Sequence, residues 1–139
     1  MRGTLFVTGI VLFLTLMCGT AIADPNMNPG QWQITTQTEM EGMSGMNIPP
    51  VTYSQCIRKE DMVPQNKDES QECQVTDIQE HGDTVSWKIT CSGQNGKMQG
   101  TGTVTYKGDT MTGVMDMVIE EAGMRIKNKM SGKRIGDCQ

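Results

Sequence analysis

From Cys73 onward, apolar and polar residues alternate with period two, and the alternation is broken only at short turn signals. Those signals are His81-Gly82-Asp83, Gln94-Asn95-Gly96-Lys97, Gly108-Asp109 and Glu120-Glu121-Ala122-Gly123. Strict alternation puts every second side chain on one side of an extended chain, so this half of the sequence predicts consecutive antiparallel strands with one buried face. Asn-Gly is the strongest short hairpin signal, because both residues tolerate positive φ. The turns predict specific partners. Cys73 falls opposite Cys91, Val75 opposite Ile89 and Asp77 opposite Trp87. With Asn95-Gly96 as the central pair, Ile89 falls opposite Gly102 and Trp87 opposite Val104. Tyr106 then meets Met111, Gly102 meets Met115 and Gly100 meets Met117; the last turn pairs Met117 with Ile126, Gly113 with Met130 and Asp116 with Lys127.

The earlier part is less regular. Gln31 to Met40 alternates with Trp32, Ile34 and Met40 on one side, and Val51 to Ile57 returns beside it after a long loop. Residues 58–72, rich in charge and amide, read as a surface loop with one short helical turn. The expected fold is all-β: a single antiparallel meander of about seven strands. Gly100 and Gly102 on the inner face favour strong curl, so a curled sheet or small open barrel is expected rather than a flat sheet.

Residues 1–23 comprise Arg2, an apolar run from Leu5 to Met17 and the small-residue site Ala21-Ile22-Ala23. This is the pattern of a cleavable secretory leader, with a single exported domain over residues 24–139. The apolar run falls short of the roughly 20 residues of a bilayer span, so no transmembrane segment is expected after cleavage. A lipid anchor on Cys18 is the competing reading. Met17 argues against it, because it stands where lipoprotein processing wants a small residue. The periplasm is the expected compartment, with secretion beyond the cell as the alternative.

Loss of the leader leaves Cys56, Cys73, Cys91 and Cys138, an even set that in a small exported domain reads as two disulfides. Register pairs Cys73 with Cys91; by elimination Cys56 pairs with Cys138, stapling an early strand to the C-terminal tail. Every Leu and Phe also lies in the leader, so the domain core must come from Val, Ile, Met, Trp32, Tyr53, Trp87 and Tyr106. Met is unbranched and fills irregular gaps. Met98, Met111, Met115, Met117, Met124 and Met130 all fall on the inner face and are explained as core.

Met43 and Met46 have no such explanation. With Met40 they form the stretch MEGMSGM, and closely spaced thioethers are soft ligands suited to Cu(I) or Ag(I). Met40, Met43 and Met46 are therefore the candidate metal ligands, and Cu(I) is the one candidate cofactor. Catalysis is not expected. His81 is the only histidine and sits in a turn, the cysteines are oxidised, and no zinc cluster, phosphate loop or nucleophile elbow is present in the sequence. The pairs Glu60-Asp61 and Glu120-Glu121 lie in surface segments. Arg125, Lys127 and Lys129 form a basic stripe on an outer face, but the chain carries 16 acidic against 12 basic residues, one of the latter being Arg2 in the leader. That balance disfavours a nucleic-acid partner.

Several anchors occur together: Pro29-Gly30-Gln31-Trp32-Gln33-Ile34-Thr35, then Cys56, Cys73, Trp87 and Cys91, then Gly132-Lys133-Arg134-Ile135-Gly136-Asp137-Cys138. In this order they resemble the small exported bacterial proteins grouped as domain of unknown function 3617, over essentially the whole domain. The resemblance implies a leader and a Met- and Pro-rich segment after the first strand, which MEGMSGMNIPP matches. It implies no activity and transfers no catalytic residue. The expected role is a non-catalytic binding or envelope-associated module, its partner a small apolar ligand on the Met- and Gly-lined inner face or an envelope component. Soft-metal binding by the Met-rich loop is the alternative.

Overall fold

The computed structural model describes residues 24–42, 47–65, 71–94 and 96–139. The expected leader, Met43 and Met46 lie outside the described residues. Seven strands are present: β1 Gly30–Met40, β2 Val51–Ile57, β3 Gln71–His81, β4 Thr84–Gly93, β5 Gly96–Lys107, β6 Thr110–Ile119 and β7 Met124–Gly136. They form one antiparallel sheet in the order β2-β1-β7-β6-β5-β4-β3, curled into a half-barrel. Strands β3 to β7 are a meander. The β1–β2 hairpin docks through β1 onto β7, which leaves β2 and β3 as the two edges. No helix among the described residues is long and apolar enough to cross a membrane.

The predicted registers hold for β5–β6 and β6–β7, including Tyr106 with Met111, Gly113 with Met130 and Asp116 with Lys127. Two departures are instructive. The β4–β5 turn closes at Gly93 opposite Gly96, two positions short of the expected register, so Trp87 faces Gly102 and Ile89 faces Gly100. An even shift keeps every side chain on its predicted face. The second departure is a bulge between Thr76 and Gln79, where Asp77 takes a φ of 52° and leaves its expected place opposite Trp87. A bulge inserts an unpaired residue and bends an edge strand, which also makes that edge a poor template for further pairing.

The inner face carries the core: Trp32, Ile34, Val85, Trp87, Ile89, Met98, Val104, Tyr106, Met111, Met117 and Met130 are all buried. Met115 and Met124 share this face but are only half-buried. One end of the half-barrel is plugged by Met27 and by Met62 and Val63. The expectation of a surface loop with one short helical turn over 58–72 is corrected at Met62 and Val63, which are buried among the described residues. Arg58 and Asp61 close a tight turn, Met62 and Val63 turn inward, and β3 has begun by Gln71. The pull is polar as well as apolar, since the Tyr106 hydroxyl donates to the Met62 carbonyl at 2.6 Å. Tyr106 also meets Trp32 edge-on with centroids 5.7 Å apart, a favoured aromatic geometry.

Both expected disulfides are present, Cys56–Cys138 and Cys73–Cys91. Gln31 on β1 is flanked by Cys56 on β2 and by Gly136 at the end of β7, so the long-range bond crosses over β1 to tie the edge strand to the tail. Two disulfides in a small β domain belong to an oxidising compartment.

Candidate functional site: a polar groove and an unpaired indole

The outer face is built from residues that alternate with the core. Across the strands one row reads Thr76, Lys88, Thr101, Asp116, Lys127, Glu39, and the next reads Gln74, Thr90, Gln99, Val118, Arg125. A groove on this face extends from Thr76 on β3 to Glu41 just beyond β1. These two residues and the middle of both rows line a groove of about 720 Å³, floored by β4 to β7 around Gly100 and Met117. Groups of opposite charge alternate around it. Lys88 meets Asp77 at 2.8 Å, Lys127 meets Asp116 at 3.5 Å and Arg125 lies 3.9 Å from Glu41. The Asp77 contact depends on the bulge, and its hydrogen bond and charge raise the Lys88 ammonium above the ordinary lysine pKa. All six side chains remain about half or more exposed, so each pair adds little to stability and is free to exchange partners.

The groove thus offers cations, carboxylates and the hydroxyl and amide groups of Thr76, Thr90, Thr101 and Gln99. These groups can interact by charge and hydrogen bonding. His81 is remote from it at the end of β3, within 3.2 Å of the Gln79 side chain. Glu121 accepts from the Lys97 backbone N–H at 3.1 Å, tying the β6–β7 turn to the start of β5. Among the described residues no three His, Cys, Asp or Glu side chains cluster to hold a metal ion.

Of the candidate soft-metal ligands only Met40 is described. It ends β1 opposite Ile126, half-buried on the inner face. The basic stripe is largely neutralised in place: Lys129 meets Glu39 at 2.6 Å, beside the Lys127–Asp116 and Arg125–Glu41 pairs. Sequence reasoning identified one of these pairs, Asp116 with Lys127, and had no signal for the groove itself, which depends on the curvature of the sheet.

On the inner face, one polar atom stands out. Trp87 is 2 % exposed and its Nε1 has no hydrogen-bond partner among the described residues. The other tryptophan is satisfied, with Trp32 Nε1 donating to the Asn28 carbonyl at 3.2 Å.

A family model described as a protein of unknown function, DUF3617, matches residues 27–138. No curated protein and no solved structure matches the chain.

Proposed function

The chain belongs to the DUF3617 family, and from that premise we propose that it is an exported, non-catalytic binding module of the bacterial envelope, working in the periplasm after loss of residues 1–23. The single observation that carries this reading is the polar groove of about 720 Å³ with its three exposed ion pairs. A ligand bearing both signs of charge together with hydroxyl and amide groups can replace each internal partner in turn, at little cost in protein stability. Soluble fragments of the cell-wall glycopeptide have this chemistry, with sugar hydroxyls, amides, carboxylates and amines in one molecule.

The two disulfides support export, because they persist only where thiols are not kept reduced. A binding role rather than catalysis is supported by the composition of the groove, where the carboxylates Glu41 and Asp116 are each opposed by a cation.

The test is a titration of the isotopically labelled, oxidised protein with soluble glycopeptide fragments, followed by amide shifts. Saturable shifts confined to Lys88, Thr101, Asp116 and Lys127, lost in the double variant Lys88→Glu/Lys127→Glu, are the expected result. No shifts, or shifts that survive the double variant, would remove the groove as the binding surface.

A further inference from the structure

Strand β3 is bound to the sheet mainly by its backbone. Across Gln71–His81 no residue is buried, and only Gln71 and Val75 are partly covered. Its neighbour β4 buries Val85, Trp87, Ile89 and Cys91, whose partners across the sheet are Val104, Gly102, Gly100 and Met98 on β5. The core of β4 is thus shared with β5, and β3 adds little to it. The ladder from β3 to β4 is also interrupted at the bulge between Thr76 and Gln79, and Ile78 in the gap is 54 % exposed. Among the described residues, the side-chain ties from β3 to the sheet are the exposed Lys88–Asp77 pair and the Cys73–Cys91 disulfide. Few buried apolar contacts and many exposed backbone bonds mark a segment that opens by itself, without unfolding the rest.

The two ends of β3 differ. At its far end the Gly82-Asp83 turn is tied down: the Asp83 carbonyl accepts from the Tyr106 N–H at 2.9 Å, and its carboxylate accepts from the Asn26 N–H at 3.0 Å. Near its start the covalent tie is the disulfide, and one of its residues faces solvent. Cys73 is exposed and Cys91 is buried, whereas Cys56 and Cys138 are both half-buried. Thiol–disulfide exchange requires access to a sulfur, so the Cys73 side is the open point of attack.

We propose that Cys73–Cys91 is a redox latch: a dithiol reductant opens it ahead of Cys56–Cys138, and β3 then swings out from its Cys73 end about the anchored Gly82-Asp83 turn.

The exchange balances. A thiolate of the dithiol attacks the Cys73 sulfur, and Cys91 leaves as a thiolate and takes up a proton. The second thiol of the dithiol then closes on the first and releases Cys73, so two electrons pass to the Cys73–Cys91 pair and the reductant becomes a disulfide. Thr76 lines the polar groove and Asp77 holds Lys88. Release of β3 therefore removes one wall of the groove and frees Lys88. That consequence rests on the groove as the binding surface; the latch itself does not.

The experiment treats the oxidised protein with limiting dithiothreitol, traps free thiols with iodoacetamide, maps the alkylated cysteines by mass and follows amide hydrogen exchange. Cys73 and Cys91 should be alkylated before Cys56 and Cys138. In the trapped protein the amides of 71–81 should exchange at least about tenfold faster, while β1 and β5 to β7 keep their protection. The variant Cys73→Ser/Cys91→Ser reaches the same state without an alkyl group and should show the same pattern. The proposal is overturned if Cys56–Cys138 opens first, if β3 keeps its protection, or if all strands lose protection together. Reduction and exchange are read on the unaltered chain, so the outcome stands even if the double variant fails to fold. No groove ligand is needed, so failure of the latch and failure of glycopeptide binding are separate results.

Discussion

The indole of Trp87 lies directly over Gly102: a Cβ built there would overlap Trp87 Cζ2 and Cε2 and sit 2.8 Å from Nε1. In an open strand position Ala is better than Gly, because Gly gives up more chain entropy on folding. Here the sign reverses. Gly102→Ala should destabilise the domain by about 1–3 kcal/mol through overpacking. The control is Gly136→Ala, where nothing lies within 4 Å and the effect should be neutral or slightly favourable. Chemical unfolding of both variants checks the pair, and equal stability would mean that Trp87 does not occupy the space above Gly102.

Tyr106 anchors the end plug through its bond to the Met62 carbonyl. Tyr106→Phe removes the donor and strands a buried acceptor, so a loss of about 1–3 kcal/mol is expected. Proteolysis should then cut first within residues 58–65. Unaltered stability with unaltered cutting would show that the plug is held by Met62 and Val63 packing alone.

Alkali should unfold the domain in a defined window. Burial pushes the Tyr53 phenol up to about 12, with a hydrogen bond from Thr36 working against it, and burial likewise raises Tyr106, reinforced by Asp61 and Tyr53. Between the ordinary phenol value of about 10 and the raised one, the unfolded chain binds fewer protons than the folded chain. Stability is therefore full below pH 10 and falls as pH rises toward 12. Tyr53→Phe should flatten that fall, which unfolding curves at several pH values between 9 and 12 measure directly.

The two disulfides should contribute unequally. Cys56–Cys138 spans 82 residues and Cys73–Cys91 spans 18. In the chain-entropy model these loops correspond to about 4.5 and 3 kcal/mol. Replacing Cys56 and Cys138 by Ser should lower the unfolding midpoint more than replacing Cys73 and Cys91, and the reverse order would show that the whole domain depends on the β3 staple.

Cu(I) presented with a competing chelator is expected to stay with the chelator. Met40 is half-buried at the end of β1, opposite Ile126, and Met43 and Met46 lie outside the described residues. Stoichiometric capture, abolished by Met43→Leu/Met46→Leu with the fold intact, would instead make MEGMSGM a metal site.

Much of the molecule was legible before the tertiary structure. Alternation is a property of each strand by itself, so Met98, Met111, Met117 and Met130 could be placed on the core face, and Thr101 and Thr103 outside, without knowing any partner. Turn residues supplied partners where one geometry dominated. Gly108-Asp109 placed Tyr106 opposite Met111, and Glu120 to Gly123 placed Asp116 opposite Lys127. Around Asn95-Gly96 more than one closure was open, and the chain took the one that puts Trp87 on Gly102, where the large ring has room. Asp77 gave no local sign of its bulge.

Sequence alone thus determined the strand content, the two faces and the disulfide partners, because these follow from period, turn chemistry and cysteine number within short stretches. Only the tertiary structure decided what those faces enclose. The docking of β1 on β7, the inward turn of Met62 and Val63, the groove between Thr76 and Glu41 and the unpaired Trp87 N–H all join residues far apart in the chain. Their positions depend on twist and packing summed over seven strands, and a small change at any strand moves them all.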